Sequence, residues 1–230
     1  MKETKLKIFD YYGWDVDDDD PLYKELINKN RNMTIEEDTL YKNICNKFLK
    51  NHRVALHIGS HYGFKTKTLS DIFEQVHTFD FDNKINKFLK RNMKKFNLDN
   101  VSIHSFGLGD ENKKVDATDF IEKKNTHGPL SNHVVENSNG SFLVKRLDDL
   151  EIVDIDLMII DTEGYELKVL NGAINQITKY HPVIILEVHK IKDLTSRYGY
   201  NKMDNINFLK NIGYTALGYI NSEDILFIYK

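Results

Sequence analysis

The stretch RVALHIGSHYGFKTKTLSDIFEQVHTFDFD, residues 53–82, decides the predicted fold. It begins with the short apolar run Val54–Ile58, which has the length and composition of a buried strand. The turn over residues 59–63 has a glycine at each end, and glycine allows positive φ and a close approach of a ligand to the backbone. A helix over residues 64–73 then leads to a second strand, residues 76–79. Elements in this order predict a parallel α/β sheet.

An acidic residue, Asp80, ends the second strand. It follows Gly59 by about 20 residues, the spacing at which a second-strand carboxylate meets the ribose hydroxyls of a nucleotide held by the first turn. The stretch therefore predicts a site for a nucleotide-like cofactor, whose identity these residues leave open.

The composition is that of an ordinary globular protein. A chain of 230 residues with 40% apolar and 29% charged residues favours a single α/β domain with extensions. The net charge of −3 gives no electrostatic case for binding nucleic acid, and the single cysteine, Cys45, excludes an internal disulfide framework. Because no apolar run approaches the ~20 residues that span a bilayer and the N-terminus lacks a signal-peptide core, we expect a cytoplasmic protein without membrane contact.

Residues 1–50 are predicted to form a helical extension that covers the site or packs against a domain over residues 51–230. The four acids of residues 17–20 precede Pro21, a pattern more typical of a solvated helix entry than of a metal site. A sequence resembling a capping box predicts that a second helix begins at Thr34. Four nearby residues are interpreted as hydrophobic anchors, with a lid as the alternative: Tyr11, Tyr12, Trp14 and Asp15.

A third strand over residues 101–106 ends in a turn that contains Gly107 and Leu108. In a parallel sheet this turn lies at the same edge as the ends of the first two strands, where ligands of open α/β sheets bind. Gly107 and Leu108 are therefore candidates to flank a flat base, and a plain glycine turn is the alternative.

The region after this turn has a weaker pattern. Segments 114–119 and 141–146 could form extra strands around the polar loop of residues 125–140. The loop contains His127 and His133 and is long enough to suggest contact with an acceptor substrate; a purely structural loop is the alternative.

Two further apolar strands, over residues 156–161 and 182–189, end in acids and a histidine. The side chains expected at their carboxyl ends are Asp161, Glu163, Glu187 and His189. A carboxylate at this edge could bind a charged amino group, take a proton or hold a divalent ion. Each residue alone is more often a solvated strand end, but four at one rim favour a site.

The last two strands, residues 213–219 and 224–229, are joined by so short a turn that they must form an antiparallel hairpin. A nicotinamide-dependent dehydrogenase would usually continue with parallel β-α units. A mostly parallel seven-stranded sheet that ends in an antiparallel hairpin is instead the Rossmann-like arrangement of class I S-adenosylmethionine-dependent methyltransferases.

Several motifs in register resemble the FkbM-type methyltransferase family. They are LHIGSHYGFKT, VHTFDFD, NVSIHSFGLGD, VKRLDDL, IDLMIIDTEGYELKVLNGA and HPVIILEVH, which together cover roughly residues 50–190. The resemblance implies S-adenosylmethionine as methyl donor and O-methylation of a sugar or another small hydroxylated acceptor. It implies this donor-binding set: His57, Gly59, Ser60, His61, Gly63, Asp80, Phe81, Gly107, Leu108 and Asp161.

Within this resemblance the glycine turn would lie along the methionine part of the donor, Asp80 beside Phe81 would hold the ribose, and Gly107 with Leu108 would border the adenine. The sequence departs from the family at His57, where an acid usually supports the donor's amino group. A buried histidine with a backbone partner is the preferred interpretation of His57, so amino-group binding could depend on Asp161 instead.

Methyl transfer needs alignment of donor and acceptor and removal of the hydroxyl proton. The candidates for the base are the four rim residues, Asp161, Glu163, Glu187 and His189. A divalent metal is compatible with these residues but not indicated, so no metal ligand is assigned. The expected partner is a small-molecule or glycan acceptor, with the oligomeric state left open. The alternatives are a methyltransferase-like binding module without catalysis and, less favoured, an NAD-dependent oxidoreductase.

Overall fold

The structure is a computed structural model that describes residues 6–119, 132–188 and 198–230. The strands are β1 (Ile8–Tyr11), β2 (Trp14–Asp17), β3 (Val54–Ile58), β4 (Gln75–Phe79), β5 (Val101–His104), β6 (Gly107–Leu108), β7 (Lys113–Asp119), β8 (Asn132–Glu136), β9 (Phe142–Lys145), β10 (Ile155–Ile160), β11 (Val183–Glu187), β12 (Tyr214–Tyr219) and β13 (Asp224–Tyr229). The helices are α1 (Pro21–Asn28), α2 (Met33–Phe48), α3 (Phe64–Ser70), α4 (Asn83–Lys95), α5 (Glu166–Gly172), α6 (Ile174–Tyr180) and α7 (Lys202–Asn211). None of these helices is both long and apolar enough to cross a membrane.

The main sheet has seven strands in the order β12-β13-β11-β10-β3-β4-β5. The five strands β11, β10, β3, β4 and β5 are parallel to one another. Strand β13 pairs antiparallel with β11, and β12 pairs antiparallel with β13. This confirms the predicted Rossmann-like sheet with a C-terminal hairpin. Strands β3 and β11 are buried at every position because helices cover both faces of the sheet, which explains their continuous apolar sequences.

Two hydrophobic clusters pack on opposite faces of the sheet. On one face, Leu56 and Ile58 of β3 pack in a cluster with residues of α5, α6 and α7. On the other, Ala55 belongs to a cluster with residues of α2 and α3. Alternate residues of one strand therefore serve different layers, and the carboxyl ends of the parallel strands meet at one edge between them.

A second, four-stranded sheet in the order β6-β9-β7-β8 is built from residues 107–145. The two extra strands predicted here correspond to β7 and β9. Strand β8 lies within the segment predicted as a loop, and the predicted third strand ends at His104 because the chain turns there into β6 of this second sheet. His127 lies outside the described residues, and the side chain of His133 is not described.

The N-terminal segment contains the β1–β2 hairpin as well as helices, although only helices were predicted for it. The second helix starts at Met33, so the predicted start at Thr34 is wrong: the N-cap is Asn32, whose side chain accepts from the Thr34 amide. The predicted solvated helix entry is also wrong for Asp17 and Asp20. Both side chains are buried. Asp17 forms an ion pair with Lys84, and Asp20 caps the N-terminus of α1.

The β1–β2 hairpin is anchored to α4 by a buried amide. The Asn92 side chain accepts a hydrogen bond from Asp15 N at 2.9 Å and donates to the carbonyls of Asp15 and Tyr62, each at 3.0 Å. Tyr11 and Trp14 are buried, as the anchoring interpretation predicts, whereas the side chain of Tyr12 is 41% exposed.

Replacement of Asn92 by alanine should lower the free energy of unfolding by about 2–4 kcal/mol, because buried backbone groups of the hairpin and of Tyr62 lose their partners. Urea denaturation measures the change. The matched control is Lys87→Ala, an exposed position on the same helix, which should stay within about 0.5 kcal/mol of the wild type. Equal stability of the two variants would contradict the anchoring role of Asn92.

Candidate active site

The glycine turn packs directly against the end of β10. Gly59 has φ of +84°, and a Cβ at this position would lie 1.6 Å from the carbonyl oxygen of Asp161. The amide of Asp161 in turn donates to the carbonyl of Ile58 at 2.9 Å. Only glycine fits here, both because of its φ and because the two backbones approach so closely. The contact brings the predicted donor loop and the predicted acidic rim together.

The rest of the turn is shaped as a cradle. Gly63 has φ of +93° at the start of α3, and His61 has φ of +48°. The amides of Gly59 and Ser60 both donate to the carbonyl of Phe79, at 2.9 and 3.2 Å. The hydroxyl oxygen of Ser60 is buried and has no hydrogen-bond partner among the described residues, so it is available to a ligand.

Asp80 lies at the carboxyl end of β4 and is bonded to the glycine turn. One carboxyl oxygen accepts from His61 N at 3.1 Å and the other from Asp82 N at 2.9 Å. Burial raises the pKa of Asp80 to about 7. Each carboxylate oxygen retains acceptor capacity, so the group could still accept from ribose hydroxyls, as predicted.

The residues expected to border the base lie together, but they offer different surfaces. A Cβ on Gly107 would contact the Phe81 side chain at 3.5 Å, so these two residues are neighbours. The Leu108 side chain is buried in the core. Of the three, Phe81 supplies the aromatic surface, which is packed edge-to-face on Phe142.

Asp161 forms an ion pair that the sequence did not indicate. The Lys65 ammonium on α3 is 2.6 Å from its carboxylate, and the two side chains are only 13% and 24% exposed. Burial alone would favour the protonated acid, but the Lys65 charge and the hydrogen bonds from Glu187 and Lys65 together outweigh it and hold the pKa of Asp161 below its usual range. Lys65 remains charged as well: burial lowers its pKa, but Asp161 and the other acidic groups around it together raise the pKa well above its usual value.

Three of the predicted rim residues converge. Carboxyl oxygens of Asp161, Glu163 and Glu187 all lie within 4.8 Å of one another. Burial, together with the charge on Asp161, raises the pKa of Glu163 to about 8 and that of Glu187 well above its usual value. Glu187 shares a hydrogen bond with Asp161, so at neutral pH a proton lies between these two carboxyl groups. The fourth predicted residue, His189, is outside the described residues.

Such a trio has the oxygen chemistry that divalent cations prefer. Lys65 already brings a positive charge to Asp161, and the raised pKa values of the two glutamates keep protons on the remaining carboxyl groups. The charges of the cluster are therefore balanced by the chain's own groups.

The turn after β10 holds Glu163 in a strained conformation. Its φ is +54°, in the left-handed region that a residue with a side chain rarely adopts. The buried carboxylate of Glu166 accepts from the amides of Thr162 and Gly164 at 3.1 and 2.9 Å, and Tyr200 donates its hydroxyl to the Gly164 carbonyl. These supports fix the direction of the Glu163 side chain at the rim.

His57 is a core residue. It is 2% exposed, its Nδ1 lies 2.7 Å from the Thr66 hydroxyl, and burial lowers its pKa to about 3, so the ring is neutral. The predicted buried role is correct, but the predicted backbone partner is wrong, because α3 brings a threonine hydroxyl to the ring.

Replacement of Lys65 by methionine should lower the free energy of unfolding at pH 7 by about 2–4 kcal/mol, because Asp161 is left buried without its counter-charge. Without the ammonium, burial raises the Asp161 pKa, so the carboxyl group takes up a proton as the pH falls. The loss should therefore be smaller at pH 5 than at pH 7. Urea denaturation at both pH values tests this, with Lys67→Met, an exposed pair with Asp71, as the control. An equal loss at the two pH values would argue against the charge mechanism.

Comparison with known proteins agrees with this fold. The model of the methyltransferase FkbM domain matches residues 22–216. No curated protein sequence matches the chain. The FkbM methyltransferase of Methylobacillus flagellatus KT has a similar structure, with a TM-score of 0.53 and 15% identity, over 80% of this chain and 44% of that chain. This chain therefore spans less than half the length of that relative.

Other similar structures carry different names. A candidate O-methyltransferase from Klebsiella pneumoniae has a TM-score of 0.52 and 14% identity, over 85% of this chain and 80% of that chain. A candidate rRNA methylase from Clostridium thermocellum has a TM-score of 0.50 and 13% identity, over 80% and 89%. At these identities the likeness establishes the fold and not the acceptor. The domain match over most of the length shows that the chain belongs to the FkbM methyltransferase domain family.

Proposed function

We propose that the protein transfers a methyl group from S-adenosylmethionine to a hydroxyl oxygen of a sugar or another small acceptor. The observation that carries this proposal is the backbone contact between Gly59 and Asp161, which joins a ligand-binding turn to an acidic rim in a methyltransferase-family fold. In this arrangement a donor along the turn would be next to the groups that could act on an acceptor.

The residues fit the donor chemically. Ser60 offers a buried hydroxyl that lacks a protein partner in the described chain, and Gly59 lets the turn pack directly against the end of β10. Asp80 offers carboxylate oxygens to ribose hydroxyls, and Phe81 beside Gly107 offers an apolar surface to a base. These residues would hold the donor, which supplies an electrophilic methyl group on a sulfonium.

The chain's own task is to orient the acceptor and remove its proton. Asp161 is a weak base, because Lys65 stabilises its ionised form. Glu163 has a pKa of about 8, which is close to the optimum for a base that works near neutral pH, and it is partly exposed at the rim. We therefore assign proton removal to Glu163, and the orientation of Asp161 to Lys65 and Glu187.

The chemistry of the rim favours an acceptor with hydroxyl groups over a polyanion. Carboxyl groups exchange hydrogen bonds with hydroxyls, whereas a charge-balanced rim on a chain of net charge −3 offers no excess positive charge to nucleic-acid phosphates. A small polyhydroxylated acceptor, such as a sugar, satisfies these groups best.

Donor binding can be measured without knowing the acceptor. Calorimetry with S-adenosylhomocysteine should give binding to the wild type, and Asp80→Ala should weaken it by about 10-fold or more, because two ribose hydroxyls lose their hydrogen-bond acceptor. The control is Asp99→Ala, an exposed acid remote from the turn, which should bind as the wild type does. Binding of NAD but not of S-adenosylhomocysteine would overturn the methyltransferase proposal.

The base assignment requires an acceptor found by screening monosaccharides and nucleotide sugars with methyl-labelled S-adenosylmethionine. With that acceptor, Glu163→Gln should lower kcat by about 10²–10⁴-fold while leaving affinity for S-adenosylhomocysteine within about threefold. The wild-type rate should rise with pH up to about 8 as Glu163 loses its proton. A near-normal kcat for the variant would remove Glu163 from the mechanism.

A further inference from the structure

The carboxyl group of Glu37, on α2, points into the protein and not toward solvent. Its Oε2 atom is buried and has no hydrogen-bond partner in the described part of the chain. The preceding residue, Glu36, instead forms a surface pair with Arg31, with an N–O distance of 2.8 Å. A buried carboxyl oxygen without a partner costs free energy, so its retention calls for a ligand or a functional reason.

Contacts on either side of Glu37 locate it above the candidate site. Asp38 accepts from the Thr68 hydroxyl on α3 at 3.0 Å, and the Tyr41 hydroxyl donates to Asp224 at 3.3 Å. The Lys65 ammonium lies 5.9 Å from the centre of the Tyr41 ring. The first half of α2 therefore lies over the carboxyl end of the main sheet, next to Lys65 and its partner.

Electrostatic contacts define which parts of the site Glu37 faces. Its charge interacts with those of Lys65, Asp161 and Asp224. It also acts on the buried Tyr23 of α1, whose hydroxyl is 3.5 Å from the ring of His61 in the glycine turn. Glu37 is thus near both the Lys65–Asp161 pair and Tyr23, which contacts the glycine turn, and this is the region where the methionine part of the donor is expected.

The donor's amino group is a cation that needs a carboxylate in this region. His57 cannot provide one, because it is neutral and bonded to Thr66. Asp161 is already paired with Lys65 at 2.6 Å, and Asp80 is bonded to the turn at the end expected for the ribose. Glu187 shares a hydrogen bond with Asp161, and Glu163 is assigned to proton removal. Glu37 remains as a carboxyl group with no assigned role whose buried Oε2 has no protein donor in the described chain.

We propose that Glu37 binds the amino group of the donor's methionine moiety, in place of an acid on the first strand of the main sheet. This inference rests on the proposed S-adenosylmethionine dependence. It makes α2 part of the donor site and assigns a ligand-binding role to a residue of the N-terminal segment.

The protonation of Glu37 is consistent with such a role. Burial raises its pKa to about 7, so in the free protein the group can stay neutral and avoid the cost of a buried charge. An arriving ammonium would favour the ionised form. The charged and titratable groups that act on it are Lys65, Asp161, Asp224, Glu36, Tyr23 and Tyr41.

Three ligands separate the amino group from the rest of the donor. S-adenosylhomocysteine has the amino and carboxylate groups, its decarboxylated form retains the amino group, and 5′-methylthioadenosine lacks both. Calorimetry at pH 7.5 should show that Glu37→Gln weakens the first two by about 10- to 100-fold, the effect of a lost charged hydrogen bond. Binding of 5′-methylthioadenosine should change less than about twofold.

The matched control is Glu36→Gln, which alters a neighbouring glutamate on the exposed face of the same helix and should change none of the three affinities. Circular dichroism and thermal unfolding check that both variants fold. Unchanged affinity of Glu37→Gln for S-adenosylhomocysteine, or an equal loss for 5′-methylthioadenosine, would overturn the assignment while leaving the proposed function intact. Failure of the wild type to bind S-adenosylhomocysteine would overturn both.

Discussion

The close contact between the glycine turn and β10 is the constraint on which the rest of the site depends. A side chain at Gly59 would begin where the Asp161 carbonyl oxygen lies, so the turn and the acidic rim cannot approach with any other residue there. The parallel pairing of β3 with β10 sets this approach, because it ends both strands at the same level. From that one contact follow the cradle of the turn and the nearness of Lys65 to Asp161.

The electrostatics of the rim are balanced by protons and one close ion pair. Burial makes ionised carboxylates expensive, so Glu163, Glu166 and Glu187 have raised pKa values. Asp161 is the exception, since Lys65 compensates its charge directly. Packed apolar residues at these positions would serve stability better, and the retention of a carboxyl cluster there is what one expects of a binding or catalytic site.

The sequence predicts the main sheet well because its strands carry a signal that depends on few residues. Continuous apolar runs such as Val54–Ile58 identify buried strands, and the short connection between the last two runs dictates a hairpin. The convergence of Asp161, Glu163 and Glu187 was also predictable, because parallel strands end at one edge. The small second sheet was predicted only in part, since strands such as β9 are only partly buried and β8 lies in a polar segment.

Lys65 and Glu37 could not be found in this way, and the reason concerns helices rather than strands. From sequence alone, a charged residue on a helix is assigned to a solvent-exposed face. Lys65 therefore cannot be distinguished from Lys67, nor Glu37 from Glu36. They differ only in which side of the helix packs against the sheet, and that is set by contacts distant in sequence, such as that between Tyr41 and Asp224.

The match to the family domain begins at residue 22 and includes most of α1 and all of α2. Helix α2 covers the carboxyl edge of the sheet while its Glu37 faces Lys65 and Asp161, so this N-terminal helix is better regarded as one wall of the site than as an attachment to it.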